Sequence, residues 1–169
     1  MRFCATLAAA TLLTAGCLAG GPTARASEDA LALNGTYRAT SLGGWAKTND
    51  TYHDEPTVVS TWTITSTCTS AQDCTGTVTS DQGWSAPLTV RDGALWHVAH
   101  DVPNWEQCPD GSSYPGHQLY FFYPVDTYGQ LQLGSSTLAG TDRTLGPSGA
   151  CGRNQWLVIE MPFRLDRVS

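Results

Sequence analysis

The sequence predicts an all-β protein: a single small antiparallel barrel, or a strongly curled sheet, of about eight strands in meander order with two disulfides. Three observations carry this. Apolar residues seldom recur at helical spacing, whereas short runs of Thr, Val, Ile and aromatics alternate with Gly, Pro, Asn and Asp clusters. Four cysteines remain once an N-terminal export signal is set aside, and an even count in an oxidising compartment reads as a disulfide framework. Finally, one hairpin has a register that sorts cysteines, apolar residues and threonines onto consistent faces.

Residues 1–26 read as the export signal. Met1-Arg2-Phe3 precedes an apolar run over 5–18, and Gly20-Gly21-Pro22 leads to a small-residue cleavage site at Ala24-Arg25-Ala26. The run is 14 residues long, too short to span a bilayer, and no later stretch exceeds it. The mature chain is therefore expected to be secreted and soluble, without a transmembrane segment. A competing reading takes Leu13-Thr14-Ala15-Gly16-Cys17 as a lipobox that would anchor Cys17 through lipid. Thr14 matches that motif poorly, and the downstream cleavage site favours release. Residues 27–34 follow as a flexible N-terminal segment, and 35–169 form the β-rich extracytoplasmic domain.

Strands are expected near 35–42, 57–68, 74–81, 86–91, 95–100, 118–125, 130–138 and 156–166. Pairing Cys68 with Cys74 sets Ser66 opposite Gly76, Ile64 opposite Val78 and Trp62 opposite Ser80. The other face then pairs Thr67 with Thr75, Thr65 with Thr77 and Thr63 with Thr79, which a one-residue slip would scramble. This assigns Cys68–Cys74 and, by elimination, Cys108–Cys151. The threonine ladder is read as a solvated sheet face. At the next hairpin a three-residue loop over 92–94 places Leu88, Val90, Trp96 and Val98 on one face and turns His97 outward. In the last strand Leu157, Ile159, Met161, Phe163 and Leu165 alternate toward a core, and Pro162 marks an edge or a bulge.

Removing the signal leaves 143 residues with seven basic and fifteen acidic side chains, a net charge of −8 with histidine neutral. An acidic chain without a Lys/Arg cluster cannot neutralise closely spaced phosphates, which excludes nucleic acid and anionic membrane surfaces as partners. In a meander, successive connections alternate between the two ends of the sheet. Those near 43–56, 82–85, 101–117 and 139–155 then share one end. They carry Trp45, Trp84 and Trp105, with Trp156 at the margin, together with Cys108 and Cys151. That end would be the mouth of a barrel able to hold one small ligand.

Several strings resemble a family of exported proteins from mycobacteria and related actinobacteria: 34–43, Trp45-Ala46-Lys47-Thr48-Asn49-Asp50, 61–68, 74–81, Asn104-Trp105-Glu106 and Gly146-Pro147-Ser148-Gly149-Ala150-Cys151-Gly152. The resemblance covers roughly 35–165. It implies a small extracytoplasmic β-rich domain and brings no activity or binding residues with it.

Candidate chemistry is sparse. His53-Asp54-Glu55 offers a base beside two carboxylates, yet such a run before Pro56 is ordinarily a solvated loop. His97 and His100 would be a ligand pair on a helix, but on a strand they point to opposite faces. Asp101, Glu106 and Asp110 lie near Trp105 and could furnish paired carboxylates beside a stacking ring. No Gly-x-Ser-x-Gly turn, metal motif or cofactor motif is present, and no cofactor is expected. The sequence therefore favours a non-enzymatic binding domain. It would take a small apolar or amphipathic ligand, lipid-like or sugar, at Trp45, Trp84 and Trp105. The alternative is a packed module that meets an envelope protein or a wall polymer, and a glycan hydrolase comes third.

Overall fold

A computed structural model describes residues 31–70, 73–91 and 93–169. The export signal over 1–26, Cys17 and the first residues of the 27–34 segment lie outside the described residues. Among the described residues ten strands follow one another: β1 (Gly35–Ser41), β2 (Lys47–Thr48), β3 (Thr51–Tyr52), β4 (Val58–Ser70), β5 (Asp73–Ser80), β6 (Ser85–Arg91), β7 (Leu95–Gln107), β8 (Ser113–Pro124), β9 (Thr137–Leu145) and β10 (Val158–Arg167). Each of the eight long strands pairs antiparallel with its neighbour, and β1 pairs with both β4 and β10, which closes the barrel. Closure leaves none of the eight with an unpaired edge along its whole length. The short β2–β3 hairpin adds to β10 through Lys47 and Thr48.

The predicted register of the β4–β5 hairpin is observed pair for pair, from Cys68 opposite Cys74 to Trp62 opposite Ser80. Cys68–Cys74 and Cys108–Cys151 are the two disulfides. At the β6–β7 turn Val90 faces Trp96 and Leu88 faces Val98, as the three-residue loop requires. Pro162 is not on a free edge. It pairs with Thr141 of β9 and falls between the part of β10 that β1 covers, from Phe163 onward, and the part that β2 covers, up to Glu160. A residue without an N–H is tolerated at such a break between partners.

Two elements differ from expectation. The seventh long strand is β9, Thr137–Leu145, and not 130–138; Leu131 and Leu133 are instead exposed in a connection spanning 125–136. The expected loop 101–117 is mostly strand, because β7 and β8 run on past Val102 and Gly116 to a short connection over 108–112. Pro103 and Asn104 are absorbed in a bulge between Val102 and Glu106, with Asn104 in the left-handed region at φ 53°.

Parity along the eight strands still sorts the connections between two poles. The loop pole holds 42–57, 81–84, 108–112 and 146–157. The terminal pole holds the ends of β4 and β6, the starts of β5 and β7, the 125–136 connection and both ends of the described chain. Alternate residues of the eight long strands point inward, and large side chains pack against one another there. Trp62 sits at its centre, with ring centroids of Trp84, Tyr120 and Phe163 at 5.3, 4.9 and 5.2 Å and Phe122 at 6.2 Å. Ile64, Val78, Leu88, Trp96, Val98, Leu138 and Leu165 complete the core. Leu31 and Leu33 close the terminal pole from below. The Leu33 N–H donates to Ser66 Oγ at 2.7 Å and the Leu33 carbonyl accepts from the same hydroxyl at 2.9 Å.

Candidate functional site

All three tryptophans singled out in the sequence lie toward the loop pole, but they do different things. Trp84 follows a tight turn closed by Gly83 N–H to the Ser80 carbonyl. Its indole is half-buried, packed edge-on against Trp62 and stacked on His100 at 4.0 Å. Trp105 follows the β7 bulge, and its ring lies over the inward side of Gly116. A methyl group there would come within 2.7 Å of both that ring and Thr144 Cγ2. The two indoles thus occupy the space where an open mouth was expected. Trp45 ends a short 3-10 turn, Gly43–Trp45, and is 67% exposed.

A polar cluster lines the inner wall beneath this lid. Asp142 is 1% exposed, accepts from Ser41 Oγ at 2.6 Å and from Gln118 Nε2 at 2.8 Å, and has no cationic partner among the described residues. Burial raises its carboxyl above the ordinary range, against the two hydrogen bonds that favour the charge. Burial likewise holds His100 below the usual imidazole value and pushes the Tyr120 phenol up, where the nearby Asp142 adds to the effect. Among the described residues, the buried polar atoms Trp62 Nε1, Trp96 Nε1, His100 Nε2 and Glu106 Oε2 lack a hydrogen-bond partner.

Open space lies on the outer wall at the same pole. A cleft of about 390 Å³ is bounded by Pro115, His117 and Leu119 of β8, Asp101 of β7, Leu145 of β9, and Pro147 and Trp156 of the 146–157 connection, with Gly116 and Gly146 between them. Trp156 is 53% exposed. At the rim His117 Nδ1 and Asp101 Oδ1 are 2.8 Å apart. Behind Gly146 lies the Glu106 carboxyl, whose Oε2 fills the place a side chain at 146 would take. The Cys108–Cys151 bridge ties the 146–157 connection to the end of the β7–β8 hairpin.

The remaining sequence candidates scatter. His53 and Glu55 pair at 3.1 Å in an exposed loop. His97 faces outward against Phe121 at 4.8 Å while His100 faces inward, so the two do not form a ligand pair. Asp110 is occupied in its own turn, accepting from the Ser112 N–H and hydroxyl. Asp101 lies on the outer wall and Glu106 is only 5% exposed, so the expected loop of paired carboxylates is not formed. Sequence reasoning left Leu119 and Leu145 out of the site. A signal was present, because Leu119-Tyr120-Phe121-Phe122 is apolar on both faces, and a one-sided barrel strand has no need of that.

No protein-family model matches the chain, and no curated protein matches it. Among solved structures it is similar to the monomer form of the M. tuberculosis PknI sensor domain, with a TM-score of 0.55 and 18% identity over 82% of this chain and 88% of that one. At that identity the likeness concerns the fold.

Proposed function

Starting from a barrel fold shared with the M. tuberculosis PknI sensor domain, we propose that this chain is an extracytoplasmic, non-enzymatic recognition domain that works through its outer wall at the loop pole. The observation that carries this reading is the contrast between a lumen packed with Trp62, Trp84, Trp105, Tyr120 and Phe163 and an apolar cleft bounded by Trp156 just outside it. An exposed indole beside prolines and leucines is a binding surface of the usual composition, with a polar pair at the rim to orient what enters. Trp45 extends the aromatic surface of that pole, whereas Trp84 and Trp105 serve as its lid. The two disulfides and the acidic surface suit an exported chain, and the resemblance to exported mycobacterial proteins agrees with the organism of the structural neighbour.

Native mass spectrometry of the exported protein, recovered without detergent, tests this reading. The expected mass is that of the bare chain less four hydrogens for two disulfides. A non-protein mass released only on denaturation would place the ligand in the lumen and overturn the outer-wall reading.

A further inference from the structure

We propose that Trp84 and His100 form a latch across a break in the barrel wall, and that uptake of a proton by His100 releases it. The inference goes beyond the outer-cleft reading and does not depend on it. The break lies between β6 and β7. Their ladder pairs Arg91 with Leu95, Val90 with Trp96, Thr89 with His97 and Leu88 with Val98, and it stops at Pro87, which has no N–H to donate. Beyond that point Ser85, Ala86 and Pro87 pair with β5 alone, and Ala99, His100 and Asp101 with β8 alone. Side chains span what the backbone leaves open. Trp84, one residue before β6, stacks on His100 of β7 with ring centroids 4.0 Å apart and planes 17° from parallel. Both residues are half-buried, and Trp62 packs edge-on against the indole.

The chemistry of His100 makes this contact conditional. Its Nδ1 lies 3.3 Å from the Asp101 carbonyl, which can only accept, so the neutral ring carries its proton there. Nε2 is buried without a hydrogen-bond partner and is where a second proton goes. Around the ring stand the Trp84 indole from the connection before β6, the Asp101 carbonyl and carboxylate from β7, and His117, Gln118 and Tyr120 from β8. Asp142 of β9 lies one hydrogen bond further, beyond the Gln118 amide. Asp101 and Gln118 favour the charged ring, but burial outweighs them and His117 opposes it, so the closed wall holds the imidazole below its ordinary value. An imidazolium is therefore better placed in water, which it reaches by parting the stack, because no ladder bond joins β6 to β7 at that level. By linkage the ratio of open to closed wall rises as pH falls below about 6.5, by up to about tenfold per pH unit, until His100 is protonated in the closed wall as well. Opening admits water to the polar side of the lumen, where Ser41 and Gln118 donate to Asp142.

The test uses the full exported chain labelled with 5-fluorotryptophan, the Trp84 signal being assigned from Trp84→Phe. The change in that fluorine shift between water and heavy water reads the exposure of the indole. It is expected to grow between about pH 7 and about pH 5, in step with the titration of the His100 ring followed by proton resonance, while circular dichroism stays constant. In His100→Phe, which keeps a ring in the stack and takes no proton, the exposure of Trp84 should no longer vary with pH. His100→Gln, equally unable to take a proton, serves if the Phe variant does not fold. His117→Asn, at an exposed position, should retain the response. Protonation of His100 with Trp84 exposure unchanged would mean that the attraction of an imidazolium to the indole face exceeds the cost of burial, and would overturn the latch. A response that persists in the His100 variants, one that appears only with loss of the circular dichroism signal, or a His100 that stays neutral throughout would overturn it equally.

Discussion

Removing the Cys108–Cys151 bridge should cost more stability than removing Cys68–Cys74, although the shorter one joins two strands of the core. The bridges close chain segments with sequence separations of 43 and 6. If a crosslink acts chiefly by restricting the unfolded chain, those loops are worth about 4 and about 2 kcal/mol. For a domain of this size each kcal/mol moves Tm by about 3–4 °C, so the expected drops are about 14 and about 7 °C. Alanine pairs are the right variants, because serine at the buried Cys74 would also strand a hydroxyl in the core. Calorimetry of Cys108→Ala/Cys151→Ala beside Cys68→Ala/Cys74→Ala reads both drops. Hydrogen exchange reads the local consequence: the Gly146 N–H bond to the Leu157 carbonyl, 2.8 Å, closes the 146–157 connection and should exchange faster without its bridge. Equal drops, or a larger one for the short loop, would refute the chain-entropy reasoning for this barrel. Unchanged exchange at Gly146 would show that the cleft wall is held by packing alone.

Trp84→Ala should cost about 3 kcal/mol or more in a denaturant melt by emptying a place against Trp62 and His100, while Trp45→Ala, at an exposed position, should stay within about 0.5 kcal/mol. Comparable losses would mean that Trp45 packs in solution. Gly140→Ala should destabilise more than Gly146→Ala, since the added methyl meets the Phe121 carbonyl, which is backbone, in the first and the movable end of Glu106 in the second. Melts of both variants check the order, and the reverse order would show that Glu106 is held rigidly. Asp142→Asn tests the buried carboxyl. Its raised pKa means that the native state binds more protons than the unfolded chain above about pH 4, so this group lowers stability as pH rises through that window to the native value. Asn retains the bond from Gln118 and lets the Ser41 hydroxyl turn to accept. Stability of the variant relative to the parent should therefore grow with pH above about 4 and then level off. His100, held low by burial, loses stability in the opposite sense as pH falls below about 6.5, and that loss is common to both proteins. Parallel pH curves would place the cost of Asp142 elsewhere.

What was legible in the sequence followed from local alternation. Between Thr63 and Thr79 a two-residue period, two cysteines and a short connection leave one register, and the barrel has it. The β9 strand was illegible for the opposite reason. Its inward residues are Leu138, Gly140, Asp142 and Thr144, a polar set by composition. Asp142 is accommodated inside by Ser41, 101 residues away in sequence, and no local window contains that partner. Meanwhile Gln130-Leu131-Gln132-Leu133 alternates well and lies in an exposed connection. The β7 bulge was hidden too, because Pro103 and Asn104 carry the composition of a loop whether the chain leaves the sheet or only buckles within it. For the candidate site, parity brought the tryptophans to one pole correctly. Which way an indole at a barrel end turns depends on what lies beneath it, and the place of Trp105 over Gly116 is a contact between strands that alternation does not announce.

The placement of the chain ends gives the outer cleft its direction. The described chain enters at the terminal pole, where Leu33 is bonded to Ser66 Oγ and Asn34 exchanges side-chain bonds with the Ser66 backbone at 2.9 and 3.2 Å. A load applied through the N-terminal segment therefore falls on β4 at that pole and not on the cleft. Trp156, Asp101 and the Cys108–Cys151 bridge sit toward the other pole. Strands of 12 and 13 residues separate the two, and at about 3.3 Å per residue even tilted strands hold the poles some tens of ångströms apart. Ser66→Ala separates the two poles experimentally. It removes the hydroxyl partner of Leu33 and should loosen the terminal pole, seen as faster exchange at the Leu33 amide, while exchange at the Gly146 amide of the loop pole stays unchanged. Faster exchange at Gly146 as well would mean that the poles are coupled through the core.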